Sequence, residues 1–168
     1  MARRSALVVG VTGIGGGNIA QALLEDDWEV VGLSRNPDVQ VPGVRHVHAD
    51  VKDPRALEDA LTGLDLSHLF FATWQRCSTE AENCKVNGAM LRNTLDVLGR
   101  TTSLDHAVLI TGLKHYLGPF EAYASTPMET PFRESMPRVP YQNFYYDQED
   151  ILFAEAERQG FSWCRSGR

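Results

Sequence analysis

A short apolar segment that runs into a glycine-rich turn constrains the fold of this chain more than any other part of it. Residues 5–21 read SALVVGVTGIGGGNIAQ, and residues 6–9 have the composition of a strand buried on both faces of a parallel sheet. Gly10, Gly13 and Gly16 follow at three-residue intervals, ahead of a helical segment. Glycine permits a tight turn and a close approach to a diphosphate, and the helix amino end offers N–H groups to the anion. This strand-turn-helix context favours dinucleotide binding over a plain turn.

The rest of the chain alternates between strand-like and helical patterns. Further strands are predicted over residues 28–33, 44–48, 66–73, 107–111 and 161–164, and helices over residues 19–24, 54–61, 78–98 and 145–157. The alternation predicts an α/β fold: a Rossmann-type doubly wound parallel sheet with helices on both faces and the ligand along the carboxyl ends of the strands. Residues 118–140 carry several prolines and little periodicity, which predicts a long loop.

Composition excludes several classes of partner. The 168 residues suit one domain, and a net charge of −6 with scattered Lys and Arg argues against nucleic acid. No apolar run has the length of a bilayer span, so we expect no membrane partner and a cytoplasmic protein. The three cysteines lack metal-ligand spacing, and no metal site is predicted. The sequence is compatible with a homodimer.

The residues at the end of the second predicted strand indicate which dinucleotide the chain would bind. In a dinucleotide fold this position faces the adenosine ribose, where a carboxylate binds the 2′-hydroxyl and an arginine suits a 2′-phosphate. The sequence provides Ser34 and Arg35 without a carboxylate, which favours NADP(H) over NAD(H). The alternative is that Arg35 is a solvated surface residue. Asp50, after the third strand, either accepts a hydrogen bond from the adenine amino group or caps its own turn.

Tyrosines and one lysine are candidates for catalysis. Short-chain dehydrogenases usually use a tyrosine and a lysine four residues later, but here Glu149 follows Tyr145 and Asp150 follows Tyr146 at that spacing. The chain has three lysines, and only Lys114 lies near the end of the fifth strand. Its ammonium group would favour a strongly donating phenol nearby. Alternatively, the lysine is solvated and the two tyrosines pack the start of their helix.

Four motifs resemble one family. They are STEAENC (residues 78–84), NGAMLRN (87–93), TGLKHYLGPFE (111–121) and PYQNFYYDQEDI (140–151). These segments are similar to the progesterone 5β-reductase and iridoid synthase family, which are atypical extended short-chain dehydrogenases that reduce enones with NADPH. The likeness extends from the glycine-rich turn to the last strand.

The resemblance implies an activity and a set of site residues. It implies hydride transfer from NADPH to the β-carbon of a small-molecule α,β-unsaturated carbonyl, with catalytic Tyr145 and Lys114 stabilising the enolate. The residues expected to hold NADP(H) are Gly10, Thr12, Gly13, Ile14, Gly16, Ser34, Arg35, Asp50, Val51, Ala72, Thr73, Thr111 and Tyr145.

The last residues, WCRSGR, differ from the family, which continues into a His-Arg-Pro segment and a further substrate-covering part. We therefore expect residues 1–168 to be the NADP-binding Rossmann domain, with the substrate-binding part absent. Either the chain alone retains turnover, or it keeps the cofactor site without turnover. Two alternative functions remain. One is a non-catalytic NADP(H)-binding sensor. The other is a sugar-nucleotide epimerase or dehydratase, which would need the Tyr-x-x-x-Lys pair that this chain lacks.

Overall fold

The computed structural model describes residues 4–118 and 130–166, and this part of the chain forms one six-stranded parallel sheet. The strand order is β3-β2-β1-β4-β5-β6, so the direction of winding reverses between β1 and β4, beside the glycine-rich turn. The strands are β1 (Ser5–Val9), β2 (Glu29–Ser34), β3 (Arg45–His48), β4 (His68–Phe71), β5 (His106–Ile110) and β6 (Ser162–Ser166).

The helices lie on both faces of the sheet, but unevenly. They are α1 (Ile14–Glu25), α2 (Pro54–Leu61), α3 (Glu80–Thr101), α4 (Lys114–Leu117) and α5 (Phe144–Gln159). Leu7 and Val9 point from β1 into the larger core, which also contains buried residues of α2, α3 and α5. Val8 points the other way and packs with Ala20 of α1. The predicted Rossmann-type doubly wound sheet with helices on both faces is confirmed.

Local hydrogen bonds fix where the helices start and stop. Asp53 accepts from two N–H groups in the first turn of α2, and Pro54 occupies its first position. Thr79 and Glu82 form a reciprocal capping box at the start of α3. Gly160 ends α5 in the left-handed conformation, with a φ of 84°. The caps of α2 and α3 lie at the carboxyl edge of the sheet, whereas Gly160 lies at its amino edge, just before β6.

Apart from shifts of at most three residues at the ends of elements, the predicted and observed elements differ at two places. Helix α1 begins at residue 14, five residues before the predicted start, because its first turn is rich in glycine, which weakens the helical signal. The short helix α4 lies in a segment for which no helix was predicted. Of the predicted loop, residues 130–140 contain neither helix nor strand, and residues 119–129 lie outside the described part of the chain.

Candidate functional site

A cavity of about 440 Å³ lies at the carboxyl ends of β1, β2, β3 and β4. Its walls come from the glycine-rich turn and from the segments that follow β2, β3 and β4. The residues predicted to hold the cofactor that line it are Gly10, Thr12, Gly13, Ile14, Ser34, Arg35, Asp50, Val51, Ala72 and Thr73. The structure therefore brings together residues from four separate segments, as a dinucleotide site requires.

The glycine-rich turn has the shape of a diphosphate cradle. Gly10 has a φ of +82°, and a Cβ there would lie 2.8 Å from the carbonyl oxygen of Ala72. Gly13 precedes α1, and no side chain within residues 4–118 and 130–166 caps the amino end of this helix. Its first N–H groups therefore face the cavity without a side-chain acceptor, which suits an anionic group. These features fit a bound dinucleotide.

Gly16 has a different role from the other two glycines. It is buried and does not line the cavity; a Cβ there would lie 2.2 Å from the carbonyl oxygen of Gly10. A side chain at this position would therefore push α1 away from the turn. The structure places Gly16 behind the cradle, where it allows the helix to pack closely.

The two residues at the end of β2 differ in their environment. The buried Ser34 hydroxyl donates to the carbonyl oxygen of Asn36 at 3.2 Å. Arg35 is exposed at the cavity, and no ion pair or hydrogen bond of its side chain occurs within the described residues. Its neighbours in sequence, Ser34 and Asn36, are not carboxylates. Arg35 is thus a cation available to a ligand in this cavity.

Asp50 forms the turn cap that was one of its two predicted roles. Its Oδ1 accepts from the Lys52 N–H at 2.9 Å, and its Oδ2 lies 3.6 Å from the Lys52 ammonium group. The carboxylate also lines the cavity, as does the buried Val51. A contact from Asp50 to adenine stays a prediction.

A second, smaller cavity of about 170 Å³ contains the two predicted catalytic residues, Lys114 and Tyr145. Trp74 lines both cavities, so the two adjoin. The Tyr145 hydroxyl oxygen lies 3.4 Å from the point that a Cβ at Gly112 would occupy, just after β5. The buried Thr111 lines neither cavity. The structure thus brings Lys114 and Tyr145 together beside the larger cavity.

The hydroxyl groups of the two neighbouring tyrosines are in different surroundings. Tyr146 is buried; its hydroxyl donates to the His115 carbonyl oxygen and accepts from the Val139 N–H at 3.0 Å. Both backbone contacts hold the hydroxyl in the interior, and burial raises the pKa of Tyr146. Tyr145, by contrast, is half-buried and faces the small cavity. Only Tyr145 of this pair presents its ring to a ligand space.

Lys114 is paired with a carboxylate that the sequence-based prediction did not include. Its Nζ lies 2.5 Å from Oε2 of Glu80, and the side chains are 13% and 15% exposed. Burial alone would raise the pKa of Glu80, but hydrogen bonds from Lys114, Asn83 and the Phe144 N–H outweigh it and lower that pKa. The Lys114 ammonium group also lies 4.8 Å from the centre of the Phe144 ring.

Asn143 is a second residue that the prediction missed. Its Oδ1 caps α5 by accepting from the Tyr145 N–H at 3.1 Å, and its Nδ2 donates to the Lys114 carbonyl oxygen at 2.8 Å. The side chain therefore joins the lysine segment to the tyrosine helix. An asparagine just before an amphipathic helix is the available signal for such a cap.

The position four residues after Tyr145 holds an acid in a buried charge cluster. Glu149 is fully buried, with its Oε2 2.7 Å from Arg165 and 3.0 Å from Arg138, and its Oε1 3.2 Å from Nδ1 of His115. Burial would raise the pKa of Glu149, but the His115 and arginine contacts outweigh it and lower the pKa well below its ordinary range. This cluster occupies the place of the lysine in a Tyr-x-x-x-Lys pair.

The described residues contain neither a metal-binding group of side chains nor a membrane-spanning helix. No group of three or more His, Cys, Asp or Glu side chains there could hold a metal ion. Among the helices of residues 4–118 and 130–166, none combines the length and apolar character needed to cross a bilayer.

Comparisons with known proteins place this geometry in a family. Residues 6–164 match the model of the NAD dependent epimerase/dehydratase family. The chain is 42% identical to (S)-8-oxocitronellyl enol synthase from Nepeta cataria over 94% of the chain and 44% of that enzyme. It is 42% identical to 3-oxo-Delta(4,5)-steroid 5-beta-reductase from Arabidopsis thaliana over 91% of the chain and 42% of that enzyme. The resemblance predicted from the motifs is confirmed, and the chain spans less than half the length of these relatives.

A comparison with solved structures supports the same fold. UDP-glucose 4-epimerase from Thermus thermophilus, in complex with NAD, matches with a TM-score of 0.76 at 20% identity, over 96% of this chain and 53% of that one. At this identity the likeness concerns the fold alone.

Proposed function

The chain belongs to the NAD dependent epimerase/dehydratase family, and we propose that it binds NADP(H) and takes part in reducing the C=C bond of a small α,β-unsaturated carbonyl compound. The observation that carries this proposal is the meeting of Tyr145 and Lys114 in a small cavity that adjoins the larger one. The lysine position of a Tyr-x-x-x-Lys pair, four residues after Tyr145, holds the buried acid Glu149. This argues against the epimerase type of site.

The larger cavity is the proposed dinucleotide site. The cradle and the uncapped amino end of α1 suit the diphosphate, and Arg35 without a neighbouring carboxylate suits a 2′-phosphate. NADP(H) is therefore the proposed cofactor. When bound, it supplies the hydride for the reaction.

Tyr145 and Lys114 are the proposed catalytic residues. As hydride reaches the β-carbon of an enone, negative charge builds up on the carbonyl oxygen. A phenol hydroxyl placed at that oxygen donates a hydrogen bond that is stronger in the transition state than in the ground state. Lys114 contributes positive charge at the same cavity. Tyr146 does not compete for this role, because two backbone groups already engage its hydroxyl.

The names of the relatives support the same chemistry. One yields an enol, and the other is a reductase of a steroid with a 3-oxo group and a Δ4,5 double bond. Formation of an enol and reduction of a double bond conjugated to a carbonyl both pass through an enolate-like species. We infer that a small-molecule enone is the substrate class of this chain.

The proposal is tested by NADPH fluorescence and by NADPH oxidation with 2-cyclohexen-1-one and with progesterone as probe enones. The parent chain is expected to bind NADPH and oxidise it in the presence of an enone. Tyr145→Phe should lower turnover by roughly a hundredfold with little change in the Kd for NADPH.

Tyr141→Phe is the matched control, because Tyr141 is exposed and lines neither cavity. Binding of NADPH without any enone-dependent oxidation would instead indicate a dinucleotide sensor. Full turnover in Tyr145→Phe would remove this residue from the proposed catalytic role.

A further inference from the structure

The carboxylate of Glu80 joins three elements around the small cavity. Glu80 is the first residue of α3, yet its side chain is directed at α4 and α5 and is only 15% exposed. Its Oε2 accepts from the Lys114 ammonium group at 2.5 Å and from Nδ2 of Asn83 at 3.0 Å. Its Oε1 accepts from the Phe144 N–H at 2.9 Å, in the first turn of the helix that carries Tyr145.

We propose that Glu80 is a positioning residue that holds Lys114 and the first turn of the Tyr145 helix in the arrangement that enone reduction uses. This inference rests on the proposed function and extends it to a residue outside the Tyr-Lys pair. Glu80 acts through Lys114 and the backbone of α5, while Tyr145 and Lys114 face the reacting atoms.

Only an ionised carboxylate satisfies all three donors at once. Each donor supplies an N–H, and a carboxylate has two oxygens that accept hydrogen bonds and no hydrogen to donate. A glutamine at residue 80 would keep the shape but replace one acceptor with an NH2 group. That group would face either the Lys114 ammonium or the Phe144 N–H, and one of the two contacts would be lost.

The role of Glu80 differs from the general preference for acids at a helix amino end. Glu82 lies in the same turn of α3 and performs the local task, since its carboxylate accepts from the N–H groups of Ser78 and Thr79. It does not line the small cavity. Glu82→Gln is therefore a matched control for Glu80→Gln, with the same chemical change two residues away.

The first test measures the modification rate of each lysine by an amine-acetylating reagent, read by peptide mass spectrometry. The chain has three lysines, so Lys52 and Lys85 serve as references within the same molecule. Glu80→Gln should speed the acetylation of Lys114 by about fivefold or more relative to Lys85, because the ion pair is lost. Glu82→Gln should leave that ratio within about twofold, and Glu80→Asp should restore part of the protection.

An unchanged Lys114 rate in Glu80→Gln would overturn the inference. So would an equal increase at all three lysines, since that result would indicate general loosening of the fold.

The second test follows NADPH oxidation with 2-cyclohexen-1-one. Glu80→Gln should lower kcat by roughly tenfold to a hundredfold, because a small misplacement of reacting groups has an effect of this size. The KM for NADPH should stay nearly constant, since Glu80 does not line the larger cavity, and Glu80→Asp should recover part of kcat.

Parental turnover in Glu80→Gln would overturn the inference and leave the proposed function intact. Absence of turnover in the parent chain would overturn the proposed function. In that case the acetylation result alone decides whether Glu80 holds Lys114.

Discussion

Arg35 is the residue that, in the proposed site, would select between NADPH and NADH. It is exposed at the cavity and free of ion pairs within the described residues, so its charge is available to a 2′-phosphate. Arg35→Ala should weaken NADPH binding by about tenfold or more and leave NADH binding nearly unchanged, since NADH lacks that phosphate. Fluorescence titration with NADPH and with NADH measures the two dissociation constants.

Arg100→Ala is a suitable control for Arg35→Ala. Arg100 lies in the last turn of α3, at the opposite edge of the sheet, where it pairs with Glu58 at 2.8 Å. Its removal should affect both dinucleotides equally and only slightly. If Arg35→Ala weakened NADH as much as NADPH, Arg35 would have no role in selecting the cofactor.

Among individual residues, the sequence predicted those that belong to a recognisable motif. It missed those whose contacts are with residues far away in the sequence. The positions around the larger cavity were predictable because the glycine spacing and the strand ends define it. Glu80 was not, because its three hydrogen bonds depend on how α3, α4 and α5 come together. A single sequence contains no signal for a pair such as Glu80 and Lys114, which lie 34 positions apart.

The elements at the end of the chain are joined by the buried carboxylate of Glu149. It links α5 to β6 through Arg165, to the segment before α5 through Arg138, and to α4 through His115. Glu149→Gln should lower the free energy of unfolding by about 2–4 kcal/mol near neutral pH, since it leaves the buried His115 and the partly exposed Arg138 and Arg165 without their counter-charge. Urea unfolding measures the change.

The pH dependence of the free energy of unfolding is an independent test of the cluster around Glu149. The pKa of Glu149 is lowered from 4.5 to about 2 in the folded chain, so the unfolded chain binds the proton more readily. The stabilisation by ionised Glu149 is complete above pH 4.5 and is lost as the pH falls toward 2. Glu149→Gln should therefore flatten the stability profile in this window. A parental slope in Glu149→Gln would contradict this assignment.

The elements themselves were largely predictable from hydrophobic pattern and caps. Strands β1 and β2 contain the runs ALVV (residues 6–9) and VVGL (30–33), which are buried on both faces, and α2 begins at a proline after a capping aspartate, as its pattern indicates. Helix α4 was missed because four residues give too short a window for a 3.6-residue period. Its position is set instead by contacts with α5, including the Asn143 side chain on the Lys114 carbonyl oxygen.

In the described part of the molecule, the residues proposed for dinucleotide binding and those proposed for catalysis lie on different halves of the sheet. Every described residue that lines the larger cavity lies between Val9 and Met90; all follow or end β1, β2, β3 or β4 except Met90, which belongs to α3. Lys114 and Tyr145 come from the later segments after β5. The order β3-β2-β1-β4-β5-β6 brings the two halves together at the point where the winding reverses. A dinucleotide across that point would reach from Arg35 toward the small cavity.

This division implies that the described residues suffice to bind the dinucleotide, and ligand-dependent thermal stability tests it. A ligand that binds only the folded chain stabilises it by about 2.7 kcal/mol at a hundredfold excess over Kd. For a domain of this size that corresponds to a rise in Tm of roughly 5–10 °C. NADPH should raise the Tm of the parent chain by such an amount, and NADH should do so less at equal concentration.

The same measurement separates the contributions of the two cavities. Arg35→Ala should lose most of the difference between NADPH and NADH, because the substitution removes the cation proposed for the 2′-phosphate. Tyr145→Phe and Glu80→Gln should retain the parental shift in Tm, since neither residue lines the larger cavity. A parent chain whose Tm does not respond to saturating NADPH would contradict a dinucleotide site built from residues 9–90 alone. A reduced shift in Glu80→Gln would mean that the small cavity also contributes to holding the dinucleotide.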